Sequence, residues 1–210
     1  MAEVLLRRQL TAAGVDATIR SAGTRVIEVG SVAPHVRRVV PGLDDYRSRQ
    51  VTREMLVSAD LVLCMTREHV REIVALEPAA LRWTYNLRDF VSRAKEHGIR
   101  EPAEPFEGWV DAIAGDRSLD DVVRPPWSSA DTADEDIPDP IGQMLMVFQS
   151  TAAELHDIAV LLLDLGWPPE TRRPPEPVRA SSSRWPSVRA RAGSTAAASA
   201  APTRRGSQRS

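Results

Sequence analysis

Cysteine is nearly absent: Cys64 stands alone in 210 residues, which excludes an internal disulfide and any cysteine-rich metal site. Histidine is scarce as well. His35, His69, His97 and His156 are too scattered to form a recognisable ligand motif, so neither a metal site nor a cofactor is expected. No apolar run approaches the ~20 residues of a membrane span, and the first residues lack a signal-peptide pattern. These absences predict a soluble cytoplasmic protein.

What is present is unevenly distributed. The formal net charge of −2 hides a split, because the stretch from Pro168 onward holds nine arginines against two glutamates while residues 1–167 carry a net −9. That basic stretch has seven prolines, many serines and alanines, and almost no large apolar residue. It cannot bury enough surface to offset the entropy of ordering, so residues 168–210 are read as a disordered tail. The tail lacks the aromatic interleaving of a nucleic-acid binder, and no nucleic-acid partner is expected. Residues 1–167 are long enough to form one domain with its own core.

Within that domain, Ala2, Leu6, Leu10 and Ala13 recur at helical spacing, with Glu3, Arg7, Arg8 and Thr11 directed away from the apolar face. Gly14 offers a left-handed stop, and residues 15–20 alternate into a first strand ending at Ser21-Ala22-Gly23-Thr24. Residues 30–41, punctuated by Gly30, Pro34 and Pro41, read as loop. Thr52 caps a short helix through Ala59, and a buried strand spans Leu61 to Met65. Thr66 caps the next helix, to Leu76. A strand over 82–87 and a helix over 88–97 follow. A polar insertion of about 98–138 is broken by prolines and carries a short helix near Phe106 to Ala114. The strongest helical pattern places Met144, Val147, Phe148, Thr151, Leu155, Ile158, Ala159 and Leu162 on one face and ends at Gly166. Alternating strands and helices predict a parallel sheet covered on both faces.

Taken in order, these segments resemble the low-molecular-weight protein tyrosine phosphatase family. Met1-Ala2-Glu3 resembles the opening of the helix that follows that family's Cys-x-x-Asn-x-Cys-Arg-Ser-Pro loop, and Ser21-Ala22-Gly23-Thr24 resembles its Ser-Ala-Gly-Thr. Residues 46–50 sit where the family has a His-x-x-Arg segment, with Tyr46 in place of the histidine. Residues 59–65 are similar to its third strand. Asp139-Pro140 resembles its Asp-Pro acid loop.

The resemblance implies an α/β fold, a three-layer doubly wound parallel sheet of the phosphotyrosine phosphatase I type, lacking its central first strand. It also implies hydrolysis of a phosphotyrosine protein or a small phosphomonoester through a phosphocysteine. Asp139 is then the general acid, Ser21 the brace of the phosphate loop or a plain strand-end residue, and Ile27 and Ile141 the walls of the substrate pocket. Arg49 has a counterpart in the family but no assigned role.

The family's nucleophile, arginine and amide cradle would all precede Met1. Cys64 does not replace them: the residue after a five-residue spacer is Val70 rather than arginine, and the spacer has no glycine to let backbone approach a phosphate. Cys64 is therefore expected to be a core residue. As written, the chain has no nucleophile and is expected to be inactive. A start codon placed too late accounts for this, because losing a central strand would leave buried backbone groups unpaired at about 1–3 kcal/mol each. The alternatives are a pseudophosphatase that serves as a binding module and, less favoured for want of redox cysteines, arsenate reduction.

Overall fold

The computed structural model describes residues 1–26, 34–43, 46–123 and 136–172. The expected disordered tail falls almost wholly outside them, as does Ile27. All described residues belong to the unit Met1–Pro175.

Ten helices and strands are described, in the order α1 (Ala2–Ala12), α2 (Pro34–Val39), α3 (Arg53–Val57), β1 (Val62–Cys64), α4 (Arg67–Leu76), β2 (Thr84–Asn86), α5 (Leu87–His97), α6 (Phe106–Ala114), α7 (Leu119–Val123) and α8 (Leu145–Gly166). Local chemistry sets several boundaries. Thr52 accepts from the Met55 amide at 3.4 Å and Thr66 from the His69 amide at 3.2 Å, so both threonines cap as expected. Asn86 accepts from the Arg88 amide at 3.0 Å and turns β2 directly into α5. Gly14, with φ of 69°, ends α1 in the left-handed region that a side chain resists.

β1 and β2 run parallel with Val62 opposite Thr84, Leu63 opposite Tyr85 and Cys64 opposite Asn86. Side chains alternate across this sheet. Leu61, Leu63, Met65 and Tyr85 join the core built with α1, α5, α6 and α8, while Val62 and Cys64 join a second core with α3, α4 and α7. Period-two alternation in an apolar run, with one set packed on each core, is what a sheet covered on both faces requires. A third cluster packs Val36, Val40 and Leu43 against Phe148 and Ala152 of α8.

Several sequence expectations need correcting. Residues 15–20 form no ladder; the only pairing of this segment among the described residues is an isolated parallel bridge from Gly23 to Gln50. Alternation supplied the pattern, but a strand also needs a neighbour to bond. Residues 34–39 are helical rather than loop, because Pro34 occupies the first turn, where its missing N–H costs nothing. Residues 78–83 form a 3-10 turn, so the second strand begins at Thr84. The segment read as polar does carry the expected helix α6, and that helix contributes Trp109, Val110, Ile113 and Ala114 to the core. Met144, expected on the buried face of α8, is exposed.

By length and composition α8 is apolar enough to cross a membrane. Its apolar side chains are used otherwise. Phe148, Leu155, Ala159 and Leu162 are buried against the rest of the fold, and α8 packs on α1, α2 and α5. Its C-terminal carbonyls are satisfied by buried Arg100, whose Nε donates to Gly166 and whose amide donates to Leu165 at 2.9 Å.

Candidate active site

The site is built at the N-terminus of α1, where free amides and the helix dipole favour an anion. Met1 forms the start of this helix, and its side chain packs on the cores to either side. Burial pushes the Met1 ammonium below its usual range, while the carboxylates of Glu3 and Asp139 pull it back up. Asp139, 138 positions away in sequence, is thus near enough for its charge to act on the Met1 amine.

Three hydrogen bonds hold the acid loop in place. The Ile137 amide donates to the Met65 carbonyl at 2.8 Å, and Asp136 accepts from the Arg67 amide at 2.8 Å and from Asn86 Nδ2 at 3.1 Å. The loop is thus fastened to the C-terminal ends of both strands, where ligands commonly bind in open α/β sheets. Asp139 itself is exposed and accepts from the Ile141 amide at 3.0 Å, an Asx turn that fixes its carboxylate. A β-turn follows from Pro140 to Gln143, closed at 2.9 Å, with Gly142 at φ of 82° as its third residue. Ile141 occupies the corner of that turn and is 68% exposed.

Ser21 meets α1 directly. Its hydroxyl donates to the Glu3 carboxylate and lies 3.0 Å from the Tyr46 hydroxyl, which is left to donate to it. Glu3 also accepts from Arg7, which donates to the Ile19 carbonyl at 2.6 Å. The structure thus brings Ser21 together with Tyr46 and Glu3, while Asp139 is linked to this helix end only through the effect of its charge on the Met1 amine. Arg49 is exposed, and its carbonyl accepts the Gly23 amide at 2.9 Å beside the Gly23–Gln50 bridge.

Glu3, Tyr46 and Asp136 went unassigned in the sequence. Helical periodicity put Glu3 off the buried face, yet it is buried because Ser21 and Arg7 satisfy its carboxylate. Asp136 bonds the Arg67 amide across 69 positions, a link without a local signal.

Cys64 is 6% exposed, and burial pushes its thiol up to about 12 against the opposing pull of Arg117. A thiol so raised is not a nucleophile near neutral pH. The shift also makes a prediction. Below the unfolded value near 9.0 both states keep the proton; above it the unfolded thiol ionises first, so stability falls as pH rises toward 12. Urea unfolding should show this alkaline loss in the wild type and a smaller one in Cys64→Ala; equal slopes would contradict the assignment. Among the described residues, no group of three or more His, Cys, Asp or Glu could hold a metal ion.

A parallel pair of strands covered on both faces, with an acidic loop fastened at the C-terminal ends of the strands, defines an α/β domain with its candidate site at that edge. The chain belongs to the low molecular weight phosphotyrosine protein phosphatase family, whose sequence model matches residues 1–113. It is 30% identical over 129 residues to a protein-arginine-phosphatase of Bacillus subtilis (strain 168), a match covering 59% of this chain and 83% of that protein. Solved structures share the fold. A low molecular weight protein tyrosine phosphatase from T. tengcongensis superposes with a TM-score of 0.54 at 23% identity, covering 78% of this chain and 87% of that one. The tyrosine phosphatase AmsI of Erwinia amylovora gives 0.51 at 18% identity, over 78% and 81% of the two chains.

Proposed function

We propose that this domain belongs to a cytoplasmic phosphatase of phosphorylated protein side chains, in which Asp139 is the general acid and Ser21 braces the phosphate-binding loop. One observation carries the reading: Asp139 is fixed in an Asx turn on a loop fastened to both strands, within electrostatic reach of the α1 N-terminus. Cleavage of a phosphomonoester needs a thiolate, a cradle for the phosphoryl oxygens, and an acid for the leaving oxygen. Asp139 protonates that oxygen and then activates the water that hydrolyses the phosphocysteine.

Cys64, the single cysteine of this chain, is not the nucleophile of that reaction. Two features support this. Cys64 is buried with a raised thiol. Its spacing is also wrong for a phosphate loop, because Val70 rather than arginine follows the five residues after Cys64. The resemblance assigns the walls of the substrate pocket to Ile141 and to Ile27, the latter outside the described residues. The favoured substrate is phosphotyrosine; a phosphorylated arginine is the second reading, supported by the protein-arginine-phosphatase relative.

The 210-residue chain should therefore give no p-nitrophenyl phosphate hydrolysis above buffer, with Cys64→Ser making no difference. Clear turnover abolished by Cys64→Ser would overturn the proposal. The DNA upstream of Met1, read in frame, should encode an apolar strand and a Cys-x5-Arg-Ser-Pro loop. A stop codon directly upstream would instead support a phosphoprotein-binding module without catalysis.

A further inference from the structure

Asn86 ends β2 as a buried junction, 3% exposed. Its Oδ1 accepts from the Arg88 amide at 3.0 Å and caps α5. A backbone amide can only donate, so this bond fixes which way the side-chain amide faces and leaves Nδ2 as a donor. Nδ2 donates to Asp136 Oδ1 at 3.1 Å and reaches the Met65 carbonyl at 3.5 Å. Capping alone requires no more than an acceptor, which aspartate would supply equally well. The donor half of Asn86 serves the acid loop instead.

Asp136 takes that bond on the same oxygen that accepts the Arg67 amide at 2.8 Å, at the start of α4, where the helix dipole favours a carboxylate. The Ile137 amide donates to Met65, and the Ile137 side chain is 2% exposed. Residues 136 and 137 are thus anchored. From Ile137 to Asp139 the chain spans at most about 7 Å, and little of that length is free to bend. The ring of Pro138 locks its own φ, and Pro140 keeps Asp139 out of the helical region. A tether this short and stiff passes any shift of its anchor on to the Asp139 carboxylate.

We propose that Asn86 is a positioning residue for the acid: acting through Asp136, it sets the place of the Asp139 carboxylate and so the delivery of its proton to the leaving oxygen. This inference rests on the reading of Asp139 as the general acid.

The test separates the latch from the cap. Asn86→Asp keeps the acceptor for the Arg88 amide, removes the donor to Asp136 and sets two carboxylates against each other. Adding Asp136→Asn restores one donor and one acceptor with their places exchanged, and keeps an oxygen for the Arg67 amide. In the 210-residue chain, 15N relaxation should show the amides of Ile137, Asp139 and Ile141 falling from order parameters of about 0.85 to below about 0.6 in Asn86→Asp and recovering in the double variant. Amides in α4, α5 and α8 should stay rigid throughout. Asp136→Ala lies on the loop rather than in the core and should loosen the same amides even if Asn86→Asp fails to fold. In a chain extended at its N-terminus by a strand and a Cys-x5-Arg-Ser-Pro loop, Asn86→Asp should lower kcat on phosphotyrosine by about 10–100-fold with KM little changed, the scale of a small misplacement of a reacting group. The double variant should regain most of that loss.

Unchanged order across Ile137 to Ile141 in Asn86→Asp or Asp136→Ala, or no recovery in the double variant, overturns the inference. Mobility spread through α4 and α5 does so too, because Asn86 would then be a plain cap. An extended chain that is slowed by Asp139→Asn but not by Asn86→Asp leaves the acid standing without its positioning residue. If the loop loosens and recovers as expected while Asp139→Asn leaves kcat unchanged, or the extended chain shows no turnover, the anchoring stands and the acid reading alone fails.

Discussion

Trp109→Ala should destabilise the domain by about 3–5 kcal/mol, a large share of the ~5–15 kcal/mol that holds a typical domain together. Trp109 is 1% exposed and lies where three helices meet. Its ring stands edge-on to Phe90 of α5 at 5.8 Å and lies 5.9 Å from Phe106 on its own helix. It leaves so little room at Gly166 of α8 that a Cβ there would come within 3.5 Å of the indole. Truncation would empty this junction and strand the Gly98 carbonyl, which now accepts from Trp109 Nε1 at 3.2 Å. For a domain of this size Tm should drop by roughly 10 °C or more. Trp109→Phe keeps most of the volume and should cost less than half as much. A loss under about 1 kcal/mol for the alanine variant would show that α6 is peripheral to the core.

That result also bears on how far the sequence could be read. A short helix near Phe106 to Ala114 was legible, but the prolines and acids around it disguised its place in the core. Elements set by short-range chemistry were the readable ones: Thr52 and Thr66 as caps, the apolar run Leu61 to Met65 as a strand, realised over Val62–Cys64 and covered on both faces, and Gly14 as a stop. What depended on distant partners was not readable. Residues 15–20 alternate like a strand but have no ladder neighbour among the described residues. Glu3 looked like a surface residue until Ser21 and Arg7 met its carboxylate. Met144 fitted the apolar face of α8 by spacing, yet as the N-cap it lies before the first helical turn and is exposed. At the site, Asp139 and Ser21 were found through the order of their motifs. The Asp136 contacts that hold the acid loop required the fold.

The second large effect concerns Asp139. Supplying the domain with an N-terminal strand and a Cys-x5-Arg-Ser-Pro loop should create phosphatase activity, and Asp139→Asn in that extended chain should then lower kcat by about 10²–10³-fold. The loss should grow with the basicity of the leaving oxygen, because a poor leaving group depends most on being protonated as its bond breaks. Phosphotyrosine should suffer more than p-nitrophenyl phosphate, whose leaving phenolate is already stable. Asparagine keeps the size and the Asx-turn acceptor for the Ile141 amide, so KM and Tm should change little. Ser21→Ala should act more weakly and should shift the pH profile of the loop cysteine rather than the leaving-group dependence.

The most direct measurement is the turnover of phosphotyrosine by the extended chain with aspartate or asparagine at position 139, compared with p-nitrophenyl phosphate. The account predicts a loss of at least about 10²-fold on phosphotyrosine and a smaller one on the nitrophenyl ester. Equal turnover by the two proteins, or an equal loss on both substrates, would contradict Asp139 as the acid and with it the site described at the start of α1.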